Sequence, residues 1–412
     1  MASSLPTQQE LRLLKDKLNL FYDQRVIIPR DEMKRNKEIV ENVKKNIKEY
    51  LSKKKNVEIL QLENIGSVYE GLKVGSADEF DLLMLLKGHV DWEVIDKDDR
   101  GFCTIRTCRP LDNAIVLPRP QAPRQIQQPP QFGPVFVHTE YVVSTRPMGA
   151  PPPQWNLSKP EPATVNEAQA GMRALEQPKP YQKCMVSDAR GNEDLSPQKV
   201  RSVFQSYFQQ WIDSLPGGGS LRYQMETGGP ATTVNVFEGN KKLMGIDFTP
   251  AYDIGEDLVI AKPHPDLKNQ GELGTAAALQ REKFWMQSNC REEREIMRQI
   301  DDDDNGCRKK VVKILKVIKL NNTQLRCLSS YFFKAILLHM PTRGARWGHD
   351  AIAERFIEMI QLLERSLREK KLLNYFNPNI NHFAEKDPAT LENLQGYLHR
   401  IIQKKAYIDL LK

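Results

Sequence analysis

The sequence NIGSVYEGLKVGSADEFDLLMLL, residues 64–86, contains the pattern that decides the fold. A small turn, Gly66-Ser67, leads into residues with helical spacing, then into a polar loop and an apolar strand. Glu79 and Asp81 are separated by Phe80, and residues two apart on a strand point to the same face of a sheet. We therefore expect the two carboxylates to face outward together, with Phe80 in the core.

Two carboxylates beside a Gly-Ser turn are typical of sites that hold divalent metal ions against a nucleoside triphosphate for phosphoryl transfer. The alternative is an ordinary solvated acidic face. The chemistry needs a third carboxylate on a neighbouring strand. Asp247 in LMGIDFTPAYDI alternates with apolar residues, as on a half-buried strand, and antiparallel pairing would bring it to Asp81. Asp253 competes for this role, but it follows Pro250, which we expect to end the strand.

The composition is that of an ordinary soluble protein, with 40% hydrophobic and 27% charged residues among 412. No apolar run is long enough to cross a bilayer and the N-terminus has no signal-peptide core, which predicts a cytoplasmic protein without a membrane partner. The six cysteines show no CxxC pair, so we expect reduced thiols and no structural zinc. The net charge of +7 is compatible with binding to a polyanion.

Two amphipathic helices are predicted before residue 64. The first covers residues 5–19, and the second, much longer, runs from near Asp31 to about Lys53. The second helix has one apolar stripe at four-residue steps, formed by Ile39, Val43, Ile47 and Leu51. Lysines cover much of its remaining surface, which indicates either a solvated face or a spine that binds a polyanion.

After the strand that follows Asp81, residues 90–117 are predicted to form strands with turns, and the chain then enters a stretch unsuited to regular structure. Residues 110–162 carry half of the 26 prolines, and we interpret 110–165 as a mobile insertion in the first domain. A helix and two strands are expected beyond it, at 196–216, 221–226 and 232–238.

From about residue 275 the apolar spacing is helical to the C-terminus. The predicted helices cover residues 275–300, 307–320, 324–340, 350–370 and 390–411. We interpret Asp301–Asp304 as a solvated acidic turn. The predicted fold class is α+β with two lobes. Residues 1–270 form a lobe with a mixed or antiparallel sheet and the long spine helix, and residues 271–412 form a helical bundle.

These pieces together resemble the cyclic GMP–AMP synthase-like receptors, nucleotidyltransferases with a domain of the male-abnormal type. The resemblance covers most of the chain outside the proline-rich insertion and implies a bilobal nucleotidyltransferase fold. The segments that carry it are GSVYEGLKVGSADEFD, GGPATTVNVF through GIDFTPAYDI, CRKKVVKILKVIK, LSSYFFKA and NYFNPNINHF.

The resemblance implies a role for each matching residue. Glu79, Asp81 and Asp247 match three carboxylates that hold Mg²⁺ or Mn²⁺, and Asp247 also accepts the proton of the attacking ribose hydroxyl. Gly66 and Ser67 match a pair that grips nucleotide phosphates through a backbone N–H and a hydroxyl. The implied nucleotide-binding residues of the helical lobe are Lys316 for phosphate, Ser330, Tyr331 for base stacking, and Ser288. Without the match, Lys316 is an ordinary helix-face lysine and Tyr331 a core aromatic residue.

Two departures from the family pattern concern the ligand and the product. The DNA-sensing synthase carries a His- and Cys-rich zinc insertion, whereas only DDDDNG precedes Cys307 here, which disfavours DNA sensing by that device. Relatives without the insertion generally respond to double-stranded RNA. The family's Trp-Arg pair is replaced by Trp285-Met286, so an arginine contact to a base is missing and the bases and linkage of the product stay open.

The first functional hypothesis is a pattern-recognition enzyme that joins two NTPs, such as ATP and GTP, into a cyclic dinucleotide for STING-type innate immune signalling. Double-stranded RNA is the expected activator because it is recognised by shape and phosphate. A dimer on the ligand is also expected. The expected contacts to RNA are Lys45, Lys48, Lys53, Lys54, Arg308, Lys309 and Lys313.

Two alternatives stay open. The first alternative is a catalytically inactive family member that acts as a nucleotide- or protein-binding module. The presence of all three acids disfavours this alternative. The other alternative is a template-free polymerase that adds nucleotides to RNA ends with the same acids and Gly-Ser turn. The match in the C-terminal helices argues against it.

Overall fold

The structure is a computed structural model that describes the chain on both sides of the proline-rich stretch. The described residues are 6–54, 58–107, 181–187, 192–216, 219–226, 231–264, 282–340 and 348–412. The expected insertion at 110–165 and the expected domain boundary at residue 270 lie outside these residues.

The described residues form nine α-helices and eleven β-strands. The helices are α1 (Gln8–Phe21), α2 (Arg30–Ser52), α3 (Gly66–Tyr69), α4 (Pro197–Asp213), α5 (Cys290–Asp304), α6 (Cys307–Asn321), α7 (Ser330–His339), α8 (Ile352–Arg368) and α9 (Pro388–Gln403). The strands are β1 (Ile59–Ile65), β2 (Glu79–Leu86), β3 (Trp92–Ile95), β4 (Phe102–Thr107), β5 (Met185–Ser187), β6 (Glu193–Leu195), β7 (Leu221–Glu226), β8 (Thr232–Glu238), β9 (Lys241–Ile254), β10 (Asp257–Ile260) and β11 (Phe284–Gln287). None of these helices has the combination of length and apolar character that crossing a membrane requires.

Helix α2 confirms the predicted spine. All four residues of the predicted stripe are buried, together with Val40 and Asn36. The side-chain amide of Asn36 donates to the backbone oxygen of Ala77 at 2.8 Å, which ties the spine to the residues just before β2. Burying aliphatic side chains of this size is worth about 1.5–3 kcal/mol each, so the stripe fixes α2 on the sheet lobe.

All eleven strands join one sheet, and β9 lies near its centre. One edge of β9 pairs in parallel with β2, and the other edge pairs antiparallel with β8 and then with β10. The prediction that this strand ends at Pro250 was wrong. Pro250 lies between Phe248, where pairing with β8 stops, and Ala251, where pairing with β10 starts. Pro250 still accepts a hydrogen bond from the N–H of Ala261 at 2.9 Å, and the strand accommodates the proline where its partner strand changes.

Two hydrophobic cores divide the molecule into a sheet lobe and a helical lobe, as predicted. The sheet-lobe core contains the stripe of α2 together with Phe80, Phe208 and Trp285. The helical-lobe core is built from residues of α5 to α9, and it also includes Leu14 and Leu18 of α1. The first helix of the chain therefore packs in the C-terminal lobe, which its amphipathic pattern alone does not reveal.

The helices predicted for the second lobe are confirmed with three changes. The helix predicted at 390–411 ends at Gln403 and is followed by a 3₁₀ turn at Tyr407–Leu411. Residues 275–281 of the helix predicted at 275–300 lie outside the described residues. The rest of that segment contains the strand β11 before α5 begins, and β11 pairs with β10 and β4. The helix predicted at 324–340 begins only at Ser330, where the Ser329 hydroxyl accepts a hydrogen bond from the N–H of Tyr331 at 3.3 Å. We propose that the boundary between the lobes follows β11, since this strand is part of the sheet.

The prediction that Asp301–Asp304 forms a solvated turn was wrong. These residues form the last turn of α5. Asp304 is buried, and its carboxylate accepts hydrogen bonds from Arg308 Nε at 2.5 Å and from the N–H of Gly306 at 2.9 Å. It also accepts from the N–H of Arg308 at 3.2 Å. An acid at the start of α6 is favourable because helix N-termini carry a partial positive charge.

Candidate active site

Three acids are brought together by the pairing of β2 with β9. The strands run in parallel, with Asp81 opposite Asp247 and with Glu79 two residues earlier on the same face. The expected antiparallel pairing was wrong, but the parallel register unites the same residues. On the other edge of β9, Thr233 lies opposite Asp247 and donates its hydroxyl to Oδ1 at 2.6 Å. Thr233 holds one carboxylate in place, a role that could not be predicted because a threonine on a strand carries no distinctive signal.

We call Glu79, Asp81 and Asp247 the acidic triad. Oxygen atoms of the three carboxylates all lie within 4.8 Å of one another; Glu79 is exposed, and Asp81 and Asp247 are half-buried. Burial, followed by the charges of Glu79 and Asp247, raises the pKa of Asp81 to about 7. Burial also raises the pKa of Asp247, although the hydrogen bond from Thr233 acts in the opposite direction. The sheet therefore concentrates negative charge that is only partly offset by Lys73, whose Nζ lies 3.1 Å from Glu79 Oε2.

The triad fits a hard divalent cation. It offers only oxygen ligands, which Mg²⁺ prefers, and a cation among the three carboxylates would remove the repulsion that raises the pKa of Asp81. Within the described part of the chain, no other group of three His, Cys, Asp or Glu side chains is as close. The three acids are therefore the residues that could hold Mg²⁺ or Mn²⁺.

The Gly66-Ser67 turn lies directly against the triad. Gly66 has a φ of +77°, and a Cβ at this position would overlap the carboxylate of Asp81. Both the backbone conformation and the available space therefore require glycine. Ile65, which precedes the turn, lies opposite Asp81 in the pairing of β1 with β2. The turn is thus placed beside the carboxylates, and its contact with nucleotide phosphate stays a prediction.

Asp253, the competing third acid, has another partner. It lies within β9, about 20 Å along the strand from Asp247. Its carboxylate accepts a hydrogen bond from Arg291 Nη1 at 2.8 Å, and Arg291 also pairs with Glu63 at 2.5 Å. Asp253 therefore belongs to an ion-pair network that joins α5 to the sheet.

Two of the expected nucleotide-binding residues of the helical lobe make contacts outside their own helices. Lys316 Nζ donates to the backbone oxygen of Leu72, in the loop after α3, at 2.7 Å. Burial lowers the pKa of Lys316 to about 8. The hydroxyl of Tyr331 donates to Glu293 at 2.6 Å, and its ring packs edge-to-face on His382 with centroids 5.0 Å apart. Both side chains are therefore held in defined positions.

The other two expected residues make local contacts. Ser330 Oγ lies 3.5 Å from Lys319 Nζ, and Ser288 Oγ accepts a hydrogen bond from the N–H of Cys290 at 3.4 Å. Met286, which replaces the family's arginine, is half-buried on β11. The nucleotide-binding roles of Ser330 and Ser288 stay predictions.

A buried cluster of charges that the sequence analysis missed lies on the other side of the loop after α3. Lys334 Nζ is 2.7 Å from Glu70 Oε1 and 2.6 Å from Glu293 Oε2, and Glu293 also accepts the hydroxyl of Tyr331. Glu70 directly follows α3, so this cluster fixes the loop to the helical lobe. Glu70 and Lys334 both occur in the segments that carry the resemblance, but their spacing gives no sign that they pair.

The expected RNA contacts divide into exposed and buried residues. Lys45, Lys48 and Lys53 are exposed on or just after α2. Lys54 is half-buried, with its Nζ 4.6 Å from the centroid of the Tyr50 ring. These positions leave the lysine face of α2 accessible to a polyanion.

The two residues expected at the start of α6 are buried, so their assignment as RNA contacts was wrong. Arg308 is 1% exposed and pairs with Asp304, and Lys309 is 8% exposed. Lys313, one turn further along α6, is half-buried and donates to the hydroxyl of Tyr22 at 3.2 Å. A run of basic residues at the start of a helix does not show which of them face the interior.

Two models of one family match the chain, and together they cover more than half of it. The Mab-21 protein nucleotidyltransferase domain matches residues 153–299, and the Mab-21 protein HhH/H2TH-like domain matches residues 307–400. The first range contains Asp247 and the second contains Lys316 and Tyr331, whereas the Gly66-Ser67 turn precedes both ranges.

Similar proteins carry two kinds of names. Cyclic GMP-AMP synthase-like receptor 3 of Stylophora pistillata is 22% identical over 408 residues, which are 96% of this chain and 97% of that protein. Mitochondrial dynamics protein MID51 of Danio rerio is 30% identical over 222 residues, 53% of this chain and 44% of that protein. A cyclic GMP-AMP synthase-like receptor of Lucilia cuprina is 25% identical over 187 residues, 42% of this chain and 46% of that protein. The chain belongs to the Mab-21 family, whose nucleotidyltransferase domain and HhH/H2TH-like domain it carries in that order.

Proposed function

We propose that the protein is an enzyme that joins two NTPs into a cyclic dinucleotide for innate immune signalling when it binds double-stranded RNA. One observation carries the proposal: three carboxylates from β2 and β9 converge beside a turn that requires glycine. The likeness to a cyclic GMP-AMP synthase-like receptor over nearly the whole chain supports it.

The acidic triad would hold Mg²⁺ or Mn²⁺, which when bound lowers the pKa of an attacking ribose hydroxyl and neutralises the leaving pyrophosphate. Thr233 occupies Oδ1 of Asp247 at 2.6 Å. The proton of the attacking hydroxyl would therefore go to Oδ2 of this residue. Gly66 and Ser67 would orient the triphosphate beside the carboxylates, so that little motion is needed during the reaction.

The helical lobe would bind the nucleotides from the side opposite the acidic triad. Lys316 keeps most of its positive charge at neutral pH with a pKa of about 8, which suits contact with a phosphate. Tyr331 is anchored by Glu293 and His382, so its ring can stack on a base without losing much conformational entropy. Ser330 and Ser288 would add polar contacts.

The exposed lysines Lys45, Lys48 and Lys53 would contact the phosphates of double-stranded RNA, with Lys54 and Lys313 at the margin. This recognition needs no base edges, because an A-form duplex is bound through its shape and backbone. A cytoplasmic location and a dimer on the RNA belong to the same proposal.

The test is to incubate the protein with Mg²⁺, the four NTPs and long double-stranded RNA, and to search for a phosphatase-resistant product by mass spectrometry. Asp81→Asn and Asp247→Asn should each lower product formation by about a hundredfold or more, because each removes a carboxylate from the metal site. Asp253→Asn is the matched control on β9 and should retain activity. Absence of product with every polyanion tried, or equal activity in Asp81→Asn and the parent, would refute the proposal.

A second candidate function is that of a nucleotide- or protein-binding module without catalysis. The likeness to a mitochondrial dynamics protein over half of the chain favours it. Calorimetry would separate the two functions, since a binding module would bind ATP or GTP without turnover. Elongation of a labelled RNA in the same assay would instead indicate a template-free polymerase.

A further inference from the structure

Lys73 lies between the acidic triad and a separate cleft, and its side chain contributes to both. Its Nζ is 3.1 Å from Glu79 Oε2 and 2.9 Å from Asp78 Oδ1, and only 11% of its side chain is exposed. Its two acid partners are exposed, so water weakens the attraction between the charges and the ammonium can exchange partners. Lys73 is therefore a tethered cation on one edge of the triad.

The cleft has a volume of about 880 Å³ and lies between α2, the loop after α3 and α6. Positive side chains outnumber negative ones in its lining. The cations are Arg30, Lys34, Lys37, Lys73 and Lys313, and the acids are Glu38 and Glu41. This charge balance favours an anion as the occupant.

The backbone next to Lys73 is held in place from the helical lobe. Lys316 donates to the backbone oxygen of Leu72 at 2.7 Å, and Lys334 pairs with Glu70 at 2.7 Å. A lysine side chain has four rotatable bonds, so the ammonium of Lys73 can turn from the triad towards the cleft while the backbone stays fixed. The two sites can thus compete for one charge.

We propose that Lys73 is a positioning residue that switches its charge between the two sites. When the cleft is empty, the ammonium neutralises Glu79 and opposes binding of a divalent cation to the triad. A phosphorylated or sulfated anion in the cleft attracts the ammonium and frees Glu79 for the cation. This inference shares one premise with the proposed function, namely that the acidic triad binds a divalent cation.

The first test measures Mn²⁺ affinity of the full chain by electron paramagnetic resonance at about pH 8, without nucleotide or RNA. Lys73→Met should bind Mn²⁺ about three- to tenfold more tightly than the parent, because the competing positive charge is gone. Lys87→Met is the matched control, since Lys87 follows β2 at its far end and pairs with Glu58 on the surface. It should leave the affinity unchanged.

The second test adds sucrose octasulfate as the anionic probe, with its own Mn²⁺ binding subtracted in protein-free solution. The probe should raise the Mn²⁺ affinity of the parent by about threefold and should have no effect on Lys73→Met. The double variant Lys34→Gln/Lys37→Gln should lose the response to the probe but keep the parent's Mn²⁺ affinity in its absence. Circular dichroism would establish that each variant is folded.

The outcomes separate this inference from the proposed function. If the parent and Lys73→Met bind Mn²⁺ equally, or if the probe acts equally on both, the charge switch is wrong and the metal site stands. If neither protein binds Mn²⁺, the triad is not a metal site, and both the inference and the proposed function fail.

Discussion

Two clusters of charge flank the loop that follows Gly66-Ser67, and they differ in how far positive side chains neutralise their carboxylates. In the sheet lobe, the acidic triad crowds three carboxylates within 4.8 Å, and the pKa of Asp81 is raised to about 7 as a result of burial and repulsion. In the helical lobe, Lys334 lies between Glu70 and Glu293, so each acid has a cation within 2.7 Å. The first cluster is only partly neutralised, by the pair of Lys73 with Glu79 at 3.1 Å, whereas both acids of the second cluster pair with Lys334.

The difference distinguishes a site from a structural support. Buried charges without partners are costly, so a protein keeps them where a ligand supplies the missing charge. Buried charges with partners fix the backbone, and here they hold the loop on which Glu70 lies. We therefore assign binding to the triad and positioning to the cluster around Lys334.

The largest expected effect comes from breaking the complete cluster. Lys334→Met leaves two buried acids without a cation and should lower the free energy of unfolding by about 3–5 kcal/mol. Chemical denaturation followed by circular dichroism measures this change. Lys370→Met is the control because its pair with Glu392 is exposed, and it should cost about 1 kcal/mol or less. A loss below about 1 kcal/mol in Lys334→Met would contradict the assignment of this cluster as a support.

An intermediate effect is expected from relieving the crowded cluster. The folded-state pKa of Asp81 is about 7, which is above its unfolded value. Between about pH 4 and 7, the folded chain therefore keeps a proton on Asp81 that the unfolded chain has already released. Stability should therefore fall as the pH rises through this window. Asp81→Asn should weaken this dependence and be more stable than the parent by about 2 kcal/mol at pH 8 in a chelator.

Adding Mg²⁺ at the same pH sharpens the comparison. The ion should stabilise the parent and should have little effect on Asp81→Asn, since it supplies the positive charge that the triad lacks. Thermal unfolding with and without the ion measures both shifts, and Asp253→Asn should respond as the parent does. A parent whose stability rises between pH 4 and 7 more steeply than that of Asp81→Asn would contradict the direction of the pKa shift.

The smallest effect is expected for charges that are already in water. Replacing Lys45, Lys48 and Lys53 together with glutamine should weaken binding of double-stranded RNA by about tenfold at moderate salt and reduce its salt dependence. Folding stability should change by about 0.5 kcal/mol or less, because exposed charges contribute little. Fluorescence anisotropy across a salt series measures binding.

The control for this prediction replaces three exposed lysines of the helical lobe, Lys370, Lys371 and Lys404, with glutamine. It changes the net charge equally but should leave most of the RNA affinity. Equal losses in the two triple variants would show that net charge, rather than the face of α2, determines binding.

The features that could be predicted from the sequence are those that depend on local repetition. The alternation around Phe80 and Asp81, the stripe of α2 and the turn at Gly66 each follow from a period of two, a period near four, or a residue that tolerates a positive φ. These patterns were sufficient to select the three acids of the triad and the two-lobed α+β fold. The sense of the pairing between β2 and β9 was predicted wrongly, because alternation is the same in parallel and antiparallel strands.

The sequence by itself determined which side chains face outward on β2 and β9, because that choice follows from backbone geometry within each strand. Only the tertiary structure decided which charges are neutralised. Arg308 and Lys309 are buried whereas Lys45 and Lys48 are exposed, although both helices are rich in basic residues. The cost of a charge depends on the water and the partners around it, and these come from segments that are far apart in the chain.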